Sequence, residues 1–354
     1  MSVLGVQEKG TRRRPTLSAL ASAVGLSKPT VSRALNDYPD ISDATKDRVR
    51  QAAIELGYIA SSRARQLTSG QAEAVGLVTM ADNTGLRAAY QSEFANALAL
   101  GLAQQNFDLL MHCVPSDANE LDAYRRIFGE GKVDGFVLMR TRQNDERVEY
   151  LLKANIPFVT QGLTEQPEAH AWLDIDVVTS FGEVVDHLVE LGHQRIAFLN
   201  GSSTVYTSCL REKGFREGIQ RNGLNPSQAP TFAGDFSAAS GRLAMRNLRD
   251  QAPNVTALVC ANDAMAMGAV SQACEMGLRV PDDISVTGYD GVRLAELYNP
   301  PITTLAHSAA DCGQAMASMI VGLINGDPPS DHQVLLPATL MQRASSAPVA
   351  GISA

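Results

Sequence analysis

Hydroxyl and cationic side chains crowd the start of one short segment, Ser27-Lys28-Pro29-Thr30-Val31-Ser32-Arg33-Ala34-Leu35-Asn36. Ser27 is a helix N-cap type, and Pro29 falls in the first turn, where a missing N–H costs nothing. A helix that opens on Ser, Lys, Pro and Thr, with Arg33 one turn on, can enter a DNA major groove. Arg33 can donate a bidentate pair to a guanine or grip phosphate, and hydroxyls beside free N–H groups suit phosphate. No catalytic chemistry competes with this reading. The chain has no GxGxxG after a strand, no Walker loop, no GxSxG and no HExxH. His112, His170, His187, His193, His307 and His332 lack metal-ligand spacing. Cys113, Cys209, Cys260, Cys274 and Cys312 form no CxxC, and Asp282-Asp283 follows Pro281 as a turn would. We therefore expect no enzyme, metal or cofactor.

The elements that would position these groups are legible around them. Thr16 is an N-cap for LSALASAV, which Gly25 stops. Ser42 opens a third helix that runs to Gly57, with Val49, Ala52, Ala53 and Leu56 at helical spacing. Three such helices make a helix-turn-helix head. The polar stretch 61–72 is a linker, and its part 62–67 is long enough for only one or two helical turns. From Val75 on, short apolar runs at 75–80, 108–114, 135–139, 157–161, 195–200, 256–261 and 284–289 alternate with amphipathic helices at 93–104, 121–128, 177–191, 209–222, 237–250, 263–276 and 309–324. That alternation predicts doubly wound parallel sheets, and their length predicts two lobes. Ligands bind outside the carboxyl ends of such strands. Those ends carry Asp82-Asn83, Thr160-Gln161, Asn200, Asn262-Asp263 and Tyr289-Asp290, with Asp263 expected as the cap of the helix that follows.

Charge divides the chain the same way. Of 354 residues with net charge −8, residues 1–70 hold eleven Lys and Arg against six Asp and Glu, a surplus of +5, leaving −13 for the rest. A basic head on an acidic body points to a polyanion partner for the head alone. No apolar run approaches the ~20 residues of a membrane helix, and the first residues lack the apolar core of a signal peptide. The expected location is the cytoplasm, with reduced cysteines.

The stretches TLSALASAVGLSKPTVSRALN and ISDATKDRVRQAAIELGYIAS resemble the DNA-binding head of the lac repressor/galactose repressor family. The resemblance continues through ARQLTSG, LVELGHQRIAFLNG, REKGFREGI, GDFSAASG, ALVCANDAMAMGAV, GLRVPDDISVTGYDG and PPITTL, in family order over residues 16–343. It implies a body of periplasmic-binding-protein type, two lobes joined by three crossovers. The implied boundaries are a head at 1–60, a hinge at 61–72, a body at 73–345 and a tail at 346–354. Lobe one would take 73–173 and 306–335, and lobe two 174–305 and 336–345. Lys28 and Pro29 fall on the two variable base-reading positions; Pro29 departs from the pattern because its side chain can only pack. Thr16, Leu17, Ser27, Thr30, Ser32, Arg33 and Asn36 fall on common DNA-contacting positions. Leu67 matches the hinge leucine that wedges into the minor groove, and Ala64 the small residue before it.

In the body the resemblance implies effector contacts by Arg211, Asn262, Asp290 and Phe236, with Thr207 and His307 beside them. Gly162 and Ala309 stand where relatives carry an acidic and an aromatic contact, which opens the pocket; Asp82 and Gln161 are substitutes. The C-terminus lacks the leucine heptad of tetrameric relatives, so a homodimer on a pseudopalindromic double-stranded operator is expected. The implied function is repression controlled by a small effector, a sugar or sugar derivative. A purine or other corepressor is the alternative, and a soluble sugar-binding transport protein is the alternative of another class.

Overall fold

The structure, a computed structural model, describes residues 15–58, 70–81, 87–115 and 119–349. The chain divides into two compact units, residues 1–72 and 73–354. In the first unit, Thr16 caps α1 (Leu17–Val24) by accepting from Ala19 N–H, and Ser27 caps α2 (Lys28–Leu35) by accepting from Thr30 N–H. Ser42 precedes α3 (Asp43–Leu56), and Gly57 ends it. Leu20, Val31, Ala34 and Val49 are fully buried between the three helices. That small core fixes α2 through its Val31/Ala34 side and turns Lys28, Pro29, Arg33 and Asn36 outward.

The second unit carries two six-stranded sheets. The first has the order β11-β5-β4-β3-β1-β2, built from β1 (Ala74–Met80), β2 (Asp108–Val114), β3 (Gly135–Leu138), β4 (Phe158–Gln161), β5 (Ala171–Ile175) and β11 (Gln333–Leu336). The second has the order β12-β10-β9-β8-β6-β7, built from β6 (Ile196–Asn200), β7 (Thr231–Ala233), β8 (Ala257–Cys260), β9 (Ser285–Asp290), β10 (Thr303–Ala306) and β12 (Thr339–Met341). All pairings are parallel except β10 with β12. The chain therefore passes between sheets after β5, after β10 and after β11. The helices are α4 (Arg87–Ala103), α5 (Glu120–Gly129), α6 (Glu146–Lys153), α7 (Val177–Glu190), α8 (Tyr206–Arg221), α9 (Ala238–Gln251), α10 (Asp263–Glu275), α11 (Arg293–Leu297) and α12 (Ala309–Ile324). β1, β3, β6 and β8 are buried almost throughout, as strands covered on both faces must be. Residues at the carboxyl ends of both sheets line one common space, the cleft described next.

Candidate nucleic-acid interface and ligand cleft

Residues 28, 29, 32, 33 and 36 form one strip along α2, exposed or half-exposed. At its start Ser27 Oγ and Thr30 Oγ1 are 2.8 Å apart. At its end Asn36 Nδ2 donates back to Ser32 O at 2.9 Å, which closes the helix and commits one of the two amide hydrogens. Arg33 Nη2 lies 2.7 Å from Asp40 Oδ2, and its guanidinium sits 5.2 Å from the Tyr38 ring centre. Leu17 is half-buried against the helical core, while Thr16 remains exposed. Ala64 and Leu67 lie outside the described residues. The helical part itself is electrically balanced: residues 15–58 hold Lys28, Arg33, Lys46, Arg48 and Arg50 against Asp37, Asp40, Asp43, Asp47 and Glu55. The surplus positive charge of the head belongs to Lys9, Arg12, Arg13, Arg14, Arg63 and Arg65, net of Glu8.

In the body, a cavity of ≈ 140 Å³ opens between the carboxyl ends of the two sheets. At about 10–15 Å³ for each water-sized occupant, that is room for on the order of ten. Arg211, Asn262, Asp290, Phe236, Thr207 and His307 all line it, as do Gln161 and Gly162. Asp82 lies outside the described residues, and Ala309 begins α12 as a buried residue.

Arg211, on the second turn of α8, is 9% exposed. Its guanidinium carbon lies 4.4 Å from the Tyr289 ring centre, 5.6 Å from Phe236 and 5.9 Å from Phe181. Stacking on rings desolvates the cation without neutralising it. Among the described residues its buried Nε has no hydrogen-bond partner. Phe236 has a left-handed backbone (φ 68°), and its carbonyl accepts from Asn262 Nδ2 at 3.0 Å. Its ring lies on Gly201, where a Cβ would stand 1.8 Å from Cζ, so only glycine fits beneath it.

His307 packs between Tyr90 and Tyr289, tilted to both rings, with centroids 5.2 and 5.1 Å away. Its Nε2 meets Tyr90 Oη at 3.2 Å, and Gln161 Nε2 donates to the same oxygen. Burial, followed by the nearby Arg211 charge, pushes the imidazole down to about 4, so it is neutral at pH 7. His307 Nδ1 is buried without a partner among the described residues. Asp174 accepts from Leu163 N–H and Ile175 N–H, and burial raises its carboxyl above the usual range. The cleft therefore offers a stacked cation, a neutral imidazole and carboxylate oxygens between aromatic faces. That set matches a polyhydroxylated ligand, whose hydroxyls donate and accept and whose C–H faces pack on rings.

One expectation is corrected. Asn262, not Asp263, caps α10: its Oδ1 accepts from Met265 N–H at 2.9 Å. Asp263 is fully buried and instead ties three elements together, accepting from Thr304 Oγ1 at 2.6 Å and Val292 N–H at 2.9 Å. Burial pushes its carboxyl up to about 7. Asn262 consequently spends one N–H and one lone pair on the fold, leaving one of each for the cleft.

Residues that sequence reasoning passed over also line the cavity: Tyr90, Arg140 and Asp174. Tyr289, named with Asp290 as a strand-end cluster, lines it as well. Tyr90 and Asp174 sit alone on an amphipathic helix and an unrecognised strand. Arg140 takes a left-handed backbone (φ 56°) held by buried charges. Arg147 donates to Arg140 O at 2.9 Å and pairs with Asp145 and Glu120 at 2.7 and 3.3 Å; Arg142 also pairs with Glu120. The clamped turn reaches the start of α8: Tyr206 N–H donates to Thr141 O at 2.8 Å, and Arg142 bridges Val205. Among the described residues, no three His, Cys, Asp or Glu are grouped to hold a metal, and no helix is long and apolar enough to cross a membrane.

A helix-turn-helix head with a two-sheet, ligand-type body defines a class, the effector-controlled DNA-binding transcription regulators. Comparison with known proteins gives the same class. Residues 16–61 match "Bacterial regulatory proteins, lacI family", and residues 185–346 match "Periplasmic binding protein-like domain". The HTH-type transcriptional regulator CelR of Thermobifida fusca is 32% identical over 340 residues, covering 94% of this chain and 99% of that protein. Among solved structures, a complex of CelR with cellobiose is 29% identical with a TM-score of 0.71, covering 94% of this chain and all of that one. The lac repressor dimer bound to operator and the anti-inducer ONPF is 27% identical with a TM-score of 0.82, covering 95% and 100%. The chain belongs to the lacI family of bacterial regulatory proteins and is a DNA-binding transcription regulator.

Proposed function

We propose that the chain is a repressor that binds a pseudopalindromic operator as a homodimer and answers to a sugar or sugar derivative in the cleft. In the head, Lys28, Pro29, Thr30 and Arg33 read or abut bases, while Thr16, Leu17, Ser27, Ser32 and Asn36 position the head on the backbone. Residues 61–72 with Ala64 and Leu67 form the hinge. In the body, Arg211 and Asp290 grip effector hydroxyls, Phe236 packs on the ring face, and Asn262, Thr207 and His307 complete the contacts. The lobes follow the two sheets, near 73–173 with 306–335 and 174–305 with 336–345.

The observation that carries this reading is Arg211: a buried cation over the Tyr289 ring, with Nε unpartnered among the described residues, lining the cleft. A buried donor without an acceptor is costly, and a ligand oxygen resolves that cost. CelR, of similar fold, has been solved with cellobiose. A thermal-shift screen of sugars, phosphorylated sugars and nucleobases tests the reading. A ligand at ~100 times its dissociation constant stabilises the folded chain by roughly 2.7 kcal/mol. The expected hit is a sugar whose shift disappears in Arg211→Ala; hits confined to nucleobases would establish the purine alternative instead.

A further inference from the structure

We propose that Asp40 and Tyr38 are positioning residues for DNA recognition: they hold the Arg33 guanidinium in one orientation on the outward strip of α2 and keep it from unselective attraction to phosphate. The proposal rests on the reading of α2 as the base-reading helix. Arg33 stands at the end of that helix, and the turn that follows doubles back beside it. Asp40 takes Nη2 at 2.7 Å, and Tyr38 lies under the guanidinium at 5.2 Å. The turn that carries both is itself anchored. Tyr38 N–H donates to Arg33 O at 3.1 Å, and Ile41 N–H donates to Tyr38 O at 3.2 Å. Asp37, with a left-handed backbone (φ 61°), takes Lys46 at 3.0 Å and Arg50 at 3.2 Å from α3.

The Arg33 and Asp40 side chains are each about half exposed, 49% and 48%. An ion pair so exposed contributes little to folding, so its consequence is where Arg33 points. Tyr38 is 41% exposed, a large ring left at the surface that touches the cation DNA would meet. Guanidinium carries five N–H donors in a rigid fork. One edge can stay with Asp40 while the other donates to a guanine. An arginine already fixed loses less freedom on binding its correct base than a mobile one does. Its charge, cancelled by Asp40, adds little attraction to phosphates of random sequence. Both effects raise the ratio of specific to non-specific affinity rather than affinity itself.

The test uses the full-length protein with two duplexes, one selected from a random pool by the wild type and one of the same composition scrambled. Asp40→Asn keeps the shape and removes the charge. It is expected to lower the selected-to-scrambled affinity ratio about tenfold, the scale of one bidentate base contact, and to steepen the salt dependence of scrambled binding by up to about 0.9. Asp40→Glu should restore the ratio to within about threefold, and the thermal midpoint of all variants should stay at the wild-type value. In an Arg33→Ala background, Asp40→Asn should change the ratio less than about twofold, because its target is gone. The proposal is overturned if Asp40→Asn alone keeps the wild-type ratio, if it lowers the ratio equally without Arg33, or if the loss tracks a fall in thermal midpoint. If only the Asp40 variants fail to respond, α2 still reads bases through Arg33. If Arg33→Ala itself discriminates like wild type, the base-reading assignment falls and the clamp falls with it.

Discussion

His307 and Asp263 are buried ionisable side chains pushed in opposite directions, and their linkage to folding has opposite signs. His307 falls from an ordinary 6.5 to about 4 in the folded chain, so the unfolded chain binds its proton first. Its contribution is full above pH 6.5 and is lost as pH falls toward 4, on the order of 3 kcal/mol. Asp263 rises from 3.8 to about 7, so its contribution is full below pH 3.8 and is lost as pH climbs to 7. Between pH 4 and 6.5 the two nearly offset one another. Replacing one reveals the other: His307→Gln should gain stability relative to wild type as pH drops from 7.5 to 4.5, and Asp263→Asn should lose it. Denaturant midpoints at the two pH values check this, and variant-to-wild-type differences independent of pH would contradict it. At this scale the sequence was partly legible. Asn262 and Asp263 are adjacent and both can cap a helix; a one-residue difference in where α10 begins decides which does. Asp263 is instead committed to the Thr304 hydroxyl from β10 and to Val292 N–H, contacts not visible in local pattern.

The turn at 139–143 shows how elements position the site. Glu120 lies at the start of α5 and Asp145 caps α6, so two helix N-termini deliver carboxylates to Arg147. Arg147 is 2% exposed and its donors hold the Arg140 and Met139 carbonyls. Removing one member of a buried ionic cluster strands the others, typically at a cost of ~3–5 kcal/mol. Arg147→Leu should therefore destabilise the body by that order in urea unfolding and release the left-handed Arg140 from the cleft wall. A cost below ~1 kcal/mol would show that the cluster is dispensable. None of this was foreseeable from periodicity, because α6 was not recognised; its eight residues lie between two short apolar runs. The strands divide in the same way. Buried runs such as 75–80 and 135–139 stood out by composition, and the apolar edge run 108–114 did so too although only Val114 in it is buried, whereas β7, β11 and β12 are short, partly exposed edges. β5 and β10 were missed for another reason: Asp174, Thr303 and Thr304 are polar yet buried, so the apolar signature is broken where cleft and core meet.

At the scale of the whole molecule, charge and connectivity divide the work. The helical part of the head is neutral, so its long-range pull on DNA must come from the six cations at 9–14 and 63–65. Replacing Arg12, Arg13 and Arg14 by Ala is expected to weaken binding to any duplex and to lower the salt slope by up to about 0.9 per phosphate released, leaving the preference for operator in place. An unchanged slope would mean that these arginines meet no phosphate. The two-lobe plan was legible from strand–helix alternation alone, and the cleft from the polar residues at strand ends. The pairing of β11 and β12 into different sheets was not, because two short strands separated by a few residues carry no signal of which sheet each will join. Operator affinity with and without the sugar found in the thermal-shift screen reads the coupling of cleft and head most directly. In the wild type the sugar should change operator affinity by roughly 5- to 150-fold, the usual range of allosteric coupling. Arg211→Ala should bind operator as tightly as the sugar-free wild type and show no change on adding the sugar. An Arg211→Ala protein that responds to the sugar as the wild type does would contradict the account.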